Sequence, residues 1–470
     1  MELLAIASIL SAGLVLYVIW NLGRTTTVTH QEPAIIHQRI PFVGHLIGLL
    51  RNGTRYFSDV NAKLGLPIYT LPIPGSRLYI VRSPELVTSI EKNPDLDFAP
   101  HLIHFARTIL IPSSSAIEAL EYNIDGKAGS IGCRIATQKT MQTSIAPGPN
   151  LTPVQGIIRS SILSQLEISD LTHRASPIRM FEWTRHLVTL ATTRAIYGKE
   201  NPFENIKVEN ALWTVDEGFG ALLTNILPSI FASRAHKARQ VLFDYFAQYY
   251  KRDGLDGASQ LIKSRYEVNR EHGVSIADIA HFELSVPIAL LVNTAPAVFW
   301  TLYFVYSDEV LLRDLRKSFD TLANSTASNE KTGAWKTLKM EDVTESCPLM
   351  ISTIQEVLRF QATNANARGV LHDTVLDGKY RLRKGGTVFI PANEQHLNQN
   401  IWGLNAGRFD TRRFLIKEKN GEKAKRPTNG YRAFGGGSTL CPGRFLAISE
   451  IAYVVAFMAS QLDLVPINNH

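Results

Sequence analysis

The chain has 470 residues, 45% of them hydrophobic, and a formal net charge of +7. That length and apolar content build a large globular core and exclude a disordered or fibrous chain. No basic stripe interleaved with aromatics accompanies the modest charge, which fits an anionic partner or membrane surface and argues against nucleic acid. Cys133, Cys347 and Cys441 are too few and too scattered for a disulfide framework, and no Cys-x-x-Cys pair suggests zinc.

The first predicted element is the apolar run from Leu3 to Trp20, preceded by Glu2 and followed by Arg24 and Arg39. About 18 helical residues span roughly 27 Å, close to the hydrocarbon thickness of a bilayer. A cleaved signal peptide is the rival reading. The acidic residue ahead of the run and its length favour an uncleaved anchor, and the arginines after it place the body of the protein on the cytoplasmic side. The expected organisation is therefore an anchor over residues 1–23, a connector over 24–40 and one catalytic body over 41–470. No proline-, serine- or charge-rich linker divides that body.

Past the connector, Pro67–Leu71 and Arg77–Arg82 read as strands, with Pro72, Pro74 and Gly75 as the turn between them. Pro84 opens a helix at a position where a missing N–H costs little. Residues 100–270 read as several helices separated by Gly, Pro and Asn breaks. His101 and His104 stand at helical ligand spacing there, but no cysteine lies close by to complete a zinc site.

A long apolar helix is expected from near Ser275, where Asp278 forms a capping-box-like pair, to about Tyr306. Roughly 30 residues make a rod about 45 Å long, enough to cross the domain. Pro296 has no N–H, so the carbonyl of Val292 is freed and the rod kinks beside Asn293 and Thr294. Polar side chains at a broken backbone hydrogen bond make a niche for water or dioxygen. A second membrane span is the alternative, disfavoured by Pro287, Asn293, Thr294 and Pro296 in the middle of the run.

Further on, a helix from about Ser346 to Phe360 carries Glu356-Val357-Leu358-Arg359, whose acid and guanidinium share a face and can form a forked pair. The basic stretch Lys417 to Arg426 reads either as a solvated loop or as a dock for an acidic partner. The most informative run is Phe434-Gly435-Gly436-Gly437-Ser438-Thr439-Leu440-Cys441-Pro442-Gly443-Arg444, followed by a helical pattern to Leu462. The cysteine is placed at a helix N-terminus, where the macrodipole favours an anionic sulfur. The glycines let backbone N–H groups close on it, and Phe434 shields it. This is the setting of a thiolate metal ligand.

The pattern Phe-x-x-Gly-x-x-x-Cys-x-Gly resembles the haem-ligand loop of the cytochrome P450 superfamily, in which a cysteine thiolate holds haem iron. Ile40-Pro41-Phe42-Val43-Gly44-His45 resembles the proline-glycine entry segment of membrane-bound members. Glu356, Arg359 and Cys441 follow the superfamily's order and approximate spacing. Phe409 to Phe414 resembles its Phe-x-Pro-Glu-Arg-Phe segment, with Thr411 and Arg412 where proline and glutamate are usual. Asn293-Thr294-Ala295-Pro296-Ala297-Val298-Phe299-Trp300 resembles the branch holding sterol 7α-hydroxylases and prostacyclin synthase, and the ligand-loop wording resembles fungal members that tailor secondary metabolites.

The resemblance implies a mainly α fold with small β-sheets behind an N-terminal transmembrane helix. It implies haem b as cofactor with Cys441 as its metal ligand, and Phe434, Gly435, Thr439, Gly443 and Arg368 as further haem-binding residues, Arg368 at the propionate. Thr294 then relays protons during dioxygen cleavage, Asn293 orients water, and apolar walls near Leu290, Leu291 and Val292 hold the substrate. Glu356, Arg359 and Arg413 form a structural cluster. Further features depart from the family: Asn293 stands where an acid is usual and Leu290-Leu291 where small residues are, Thr439 stands where Arg or His is usual, and no Trp-x-x-x-Arg helix occurs between residues 130 and 165. The implied activity is a microsomal monooxygenase of the endoplasmic reticulum membrane, oxidising a lipophilic, terpenoid or steroid-like substrate with electrons from an NADPH-dependent flavin reductase. The alternatives are an electron-independent isomerase or dehydratase of a peroxide, and a haem-binding sensor or carrier.

Overall fold

The computed structural model describes residues 32–38, 43–53, 55–168, 177–325, 338–415, 418–419, 422–423 and 430–467. The expected anchor over Leu3–Trp20 lies outside them. So does most of the basic stretch, of which only a short antiparallel pair, Glu418–Lys419 with Glu422–Lys423, is described. The fold is mainly helical with small sheets, and its residues divide into two compact units.

The smaller unit takes the described residues up to Phe98 together with Thr363–Gln395. Its strands are β1 (Ile68–Ile73), β2 (Ser76–Val81), β3 (Leu96–Asp97), β4 (Ala365–Val370), β5 (Thr374–Leu376), β6 (Tyr380–Leu382) and β7 (Thr387–Pro391). Five of them form a sheet in the order β1-β2-β7-β4-β3, in which only β2 and β7 run parallel. Side chains alternate between its faces, as a period of two requires. Tyr79 and Val81 pack with Leu86, Val388 and Ile390, while Leu78 and Ile80 pack with Tyr56, Phe57 and Leu71.

The turn after β1 is tighter than the sequence suggests. Pro72 sits inside the strand opposite Arg77, and only Pro74 and Gly75 turn the chain, Gly75 at φ +73°. Pro72 is tolerated because β1 lies at the sheet edge, where a missing N–H breaks no ladder bond. Ser83 then caps the helix Pro84–Lys92, accepting from the Leu86 amide at 3.4 Å.

The larger unit takes Ala99–Ala362 and the described residues from 396 onward. Its core contains the long apolar stretch Ile276–Tyr306 (the rod), which by length and composition alone could cross a membrane. Here it packs against the helices Met180–Tyr197, Pro348–Gln361 and Arg444–Gln461. Ser275 caps its start, accepting from the Asp278 amide at 3.1 Å. Two breaks divide the rod into Ile276–Glu283, Ser285–Leu291 and Thr294–Tyr306, while Leu284, Val292 and Asn293 keep helical φ/ψ, so it is one kinked helix as expected, with a second break at Leu284. Each break precedes a proline, because Pro287 gives the Glu283 carbonyl no amide and Pro296 gives none to Val292.

Arg444–Gln461, the helix that follows Cys441, is buried at every position from Ser449 to Ala459. An all-round apolar surface marks it as a core helix. Glu450 is the exception in this setting. It is 1% exposed and accepts from Thr192 Oγ1 at 2.7 Å. Burial pushes its carboxyl up to about 7 from 4.5, against a smaller opposing effect of the Thr192 hydrogen bond.

The protonated form therefore suits the folded state. Its stabilisation is complete below about pH 4.5 and is lost as pH rises through 7, a difference of about 3 kcal/mol between the limits. Glu450→Gln should flatten this dependence, so that the variant gains melting temperature over wild type between about pH 5 and pH 8. Parallel profiles for the two proteins would contradict the assignment.

Candidate active site

Cys441 stands three residues before Arg444, the first residue of the helix Arg444–Gln461, and is neither exposed nor fully buried. Its amide donates to the Phe434 carbonyl at 2.8 Å, closing the glycine loop across its base. Gly435 and Gly437 hold φ of +77° and +58°, which explains their residue type. After the cysteine, a Cβ at Gly443 would lie 3.8 Å from Sγ, an ordinary contact. Thr439 Oγ1 donates to the Gly436 carbonyl at 3.1 Å, committing the hydroxyl proton to the loop itself.

The amides of Gly443 and Arg444 and the Arg444 charge all favour the anionic sulfur, as a helix N-terminus predicts. Burial opposes them and wins, so the thiol is pushed above its ordinary range of 9. The protein alone thus shapes the sulfur's surroundings without ionising it. A coordinated metal ion does that outright.

The donor set fits haem. Cys441 is one soft sulfur on a shaped loop, and among the described residues no group of three or more His, Cys, Asp or Glu side chains is placed to hold a bare metal ion. One axial thiolate suffices where a macrocycle supplies the other ligands.

Glu356, Arg359 and Arg413 come together in a dense array. Arg359 grips the Glu356 carboxylate through Nε at 2.7 Å and Nη2 at 2.8 Å, and both side chains are 0% exposed. Arg413 Nε reaches both carboxylate oxygens at 3.1 Å, and the Asp410 amide donates to one at 2.9 Å. The other guanidinium N–H groups reach residues 396–408: Arg359 donates to the main-chain carbonyls of His396, Ala406 and Arg408, and Arg413 to those of Asn405 and Arg408 and to the Asn405 side-chain oxygen. The irregular segment before the ligand loop is thereby pinned to the helix Pro348–Gln361.

On the rod, Thr294 begins the last segment and is 6% exposed, whereas Asn293 and Ala289 are exposed. Leu291 is fully buried in the core, so of the expected apolar wall only Leu290 and Val292 are partly open. The rod's last segment packs on the helix that follows Cys441, which brings these residues and the cysteine into one structural unit. Arg368 belongs to the smaller unit, on β4, where it is 4% exposed and donates to the Ala367 carbonyl at 3.0 Å.

The stretch that lacks the family's Trp-x-x-x-Arg forms the helix Cys133–Ser144 and most of Leu151–Ile168, and Ile145 after the first lies 3.7 Å from the Cβ position of Gly443. Sequence reasoning passed over His396, which is 0% exposed among the groups around Arg359. A lone histidine after an apolar strand gives little signal, since nothing local reveals what its ring will meet.

The chain's matches to known proteins agree with this arrangement. The family model for cytochrome P450 matches residues 205–468. The cytochrome P450 monooxygenase nodJ of Hypoxylon pulicicidum is 31% identical over 99% of this chain and 89% of its own length. A cytochrome P450 monooxygenase of Gibberella zeae is 26% identical over 90% of this chain and 80% of its own. Cholesterol 7-alpha-monooxygenase of Cricetulus griseus is 28% identical over 56% of this chain and 53% of its own.

Removing Arg359 leaves a fully buried carboxylate facing one guanidinium instead of two. Arg359→Leu should cost about 3–5 kcal/mol in urea unfolding. Arg413→Ala should cost less, because Arg413 is partly exposed and its bonds to Glu356 are longer. Equal losses, or none, would show that the carboxylate is not the shared anchor.

Proposed function

Since the chain belongs to the cytochrome P450 family, whose members bind haem b through a cysteine thiolate, we propose that it is a membrane-anchored monooxygenase of fungal secondary metabolism acting on a lipophilic, terpenoid or steroid-like substrate. The observation that carries this reading is the lone, half-buried Cys441 in the same unit as the polar break at Asn293 and Thr294. The similarity to a cholesterol 7-alpha-monooxygenase supports a polycyclic lipophilic substrate.

In this reading Cys441 holds the haem, Phe434, Gly435, Thr439 and Gly443 shape the bed beneath it, and Arg368 meets a propionate. Bound there, haem supplies one-electron chemistry and dioxygen activation. The residues of the chain handle protons and exclude water. Pro296 leaves the Val292 carbonyl without a helical amide, so a water can dock there, oriented by the exposed Asn293 amide. The Thr294 hydroxyl accepts from that water and passes a proton onward from Oγ1. An amide in place of a carboxylic acid at 293 makes water the proton source. Leu290 and Val292 offer apolar surface to the substrate.

The apolar run Leu3–Trp20 anchors residues 1–23 in the endoplasmic reticulum membrane, with residues 24–40 as connector and 41–470 as the cytoplasmic catalytic body. An NADPH-dependent flavin reductase delivers electrons at the basic stretch Lys417–Arg426. A hydroxyl at position 294 favours oxygen activation over peroxide isomerisation, which needs no proton delivery. A carrier likewise has no use for a proton path.

Turnover of terpenoid or sterol candidates should require NADPH, reductase and dioxygen together. Product formation from a peroxide with no NADPH would select the isomerase. Thr294→Ala should divert NADPH-derived electrons into released hydrogen peroxide, while Thr294→Ser retains coupling. Equal peroxide yields from all three proteins would remove Thr294 from the proton path.

A further inference from the structure

We propose that His396 is the positioning residue of the sulfur-ligand loop, carrying the Glu356–Arg359 lock to Cys441 through its ring Nε2 and the amide of Arg432. Four contacts make the path continuous. Arg359 Nη1 donates to the His396 carbonyl at 2.6 Å. The His396 ring Nε2 lies 2.8 Å from the Arg432 amide nitrogen. The Arg432 carbonyl accepts from the Gly435 amide at 3.1 Å, and the Phe434 carbonyl accepts from the Cys441 amide at 2.8 Å.

The direction of the middle contact is fixed by chemistry. A backbone N–H only donates, so Nε2 must accept, and the proton of the neutral ring sits on Nδ1. Burial agrees, holding the imidazole at about 3, well below its usual 6.5; the Arg359 backbone opposes it by hydrogen bonding, and the nearby Arg359 and Arg432 charges act with burial. The ring is also fixed in rotation, since it stacks on Tyr431 at 5.7 Å between centroids, and Tyr431 meets Phe414 edge-on at 5.3 Å. One residue thus ties its backbone to the lock and its side chain to the loop. A loop whose conformation rests on two glycines at positive φ gains from an anchor just ahead of it.

The proposal rests on Cys441 as haem ligand, but its first test needs no haem. Hydrogen exchange on the full chain should show the peptide spanning residues 431–441 exchanging several-fold faster in His396→Phe, which keeps the ring stack and loses the acceptor. Exchange within Arg444–Gln461 should be unchanged. In the haem-loaded protein, the reduced carbon monoxide complex of His396→Phe should pass from the thiolate-type to the thiol-type Soret band several-fold faster. His396→Gln places an amide oxygen near the position of Nε2 and should restore both readings.

If His396→Phe does not fold, His396→Asn replaces it, because its shorter amide does not reach the Arg432 N–H. Wild-type exchange and band lifetime in the acceptor-free variant would overturn the proposal. So would a glutamine variant as impaired as phenylalanine, since packing rather than the accepted hydrogen bond would then hold the loop.

Discussion

One buried carboxylate, shared by two guanidiniums, is the constraint on which the arrangement of the larger unit depends. Taking Glu356 and Arg359 out of water is costly, and their attraction offsets that cost only when every lone pair and proton is satisfied. Here they are: the carboxylate accepts from Arg359, Arg413 and the Asp410 amide, and the guanidiniums reach the carbonyls of His396, Asn405, Ala406 and Arg408. The benefit is registry more than stability. A segment with little regular structure is given one position relative to a rigid helix, and the glycine loop continues from it.

The sulfur at the end of that path illustrates a balance of opposing effects. Helix amides and Arg444 favour the thiolate, burial disfavours it, and burial prevails in the protein by itself. In the haem protein proposed here, the metal would supply the positive charge that ionises this sulfur. The rod is built on a similar principle. Two prolines interrupt an otherwise apolar stretch, and the second interruption opens backbone polarity beside Asn293 and Thr294 within a helix that packs on the one following the cysteine.

The sequence disclosed local chemistry well and distant contacts poorly. The Glu356–Arg359 pair was legible because three-residue spacing on a helix dictates it. The kink at Pro296 was legible because a missing N–H has one consequence wherever it occurs. The break at Leu284 needed the same rule applied to Pro287. Leu291 read as a pocket wall because helical periodicity alone does not say which neighbour covers a face, and the core covers it. His396 was silent for a stronger reason, since its meaning lies entirely in Arg359 and Arg432, both more than thirty residues away. The glycines of the ligand loop read as room for close approach, and the positive φ of Gly435 and Gly437 adds a second demand for glycine that the local sequence does not announce.

Everything functional here depends on the sulfur of residue 441 binding haem iron. The most direct measurement is the reduced carbon monoxide difference spectrum of the purified protein beside Cys441→Ser. The account predicts the red-shifted Soret band of a thiolate-bound haem in wild type and its loss in the serine variant. The same band in both proteins, or none in a correctly folded wild type supplied with haem, would contradict it.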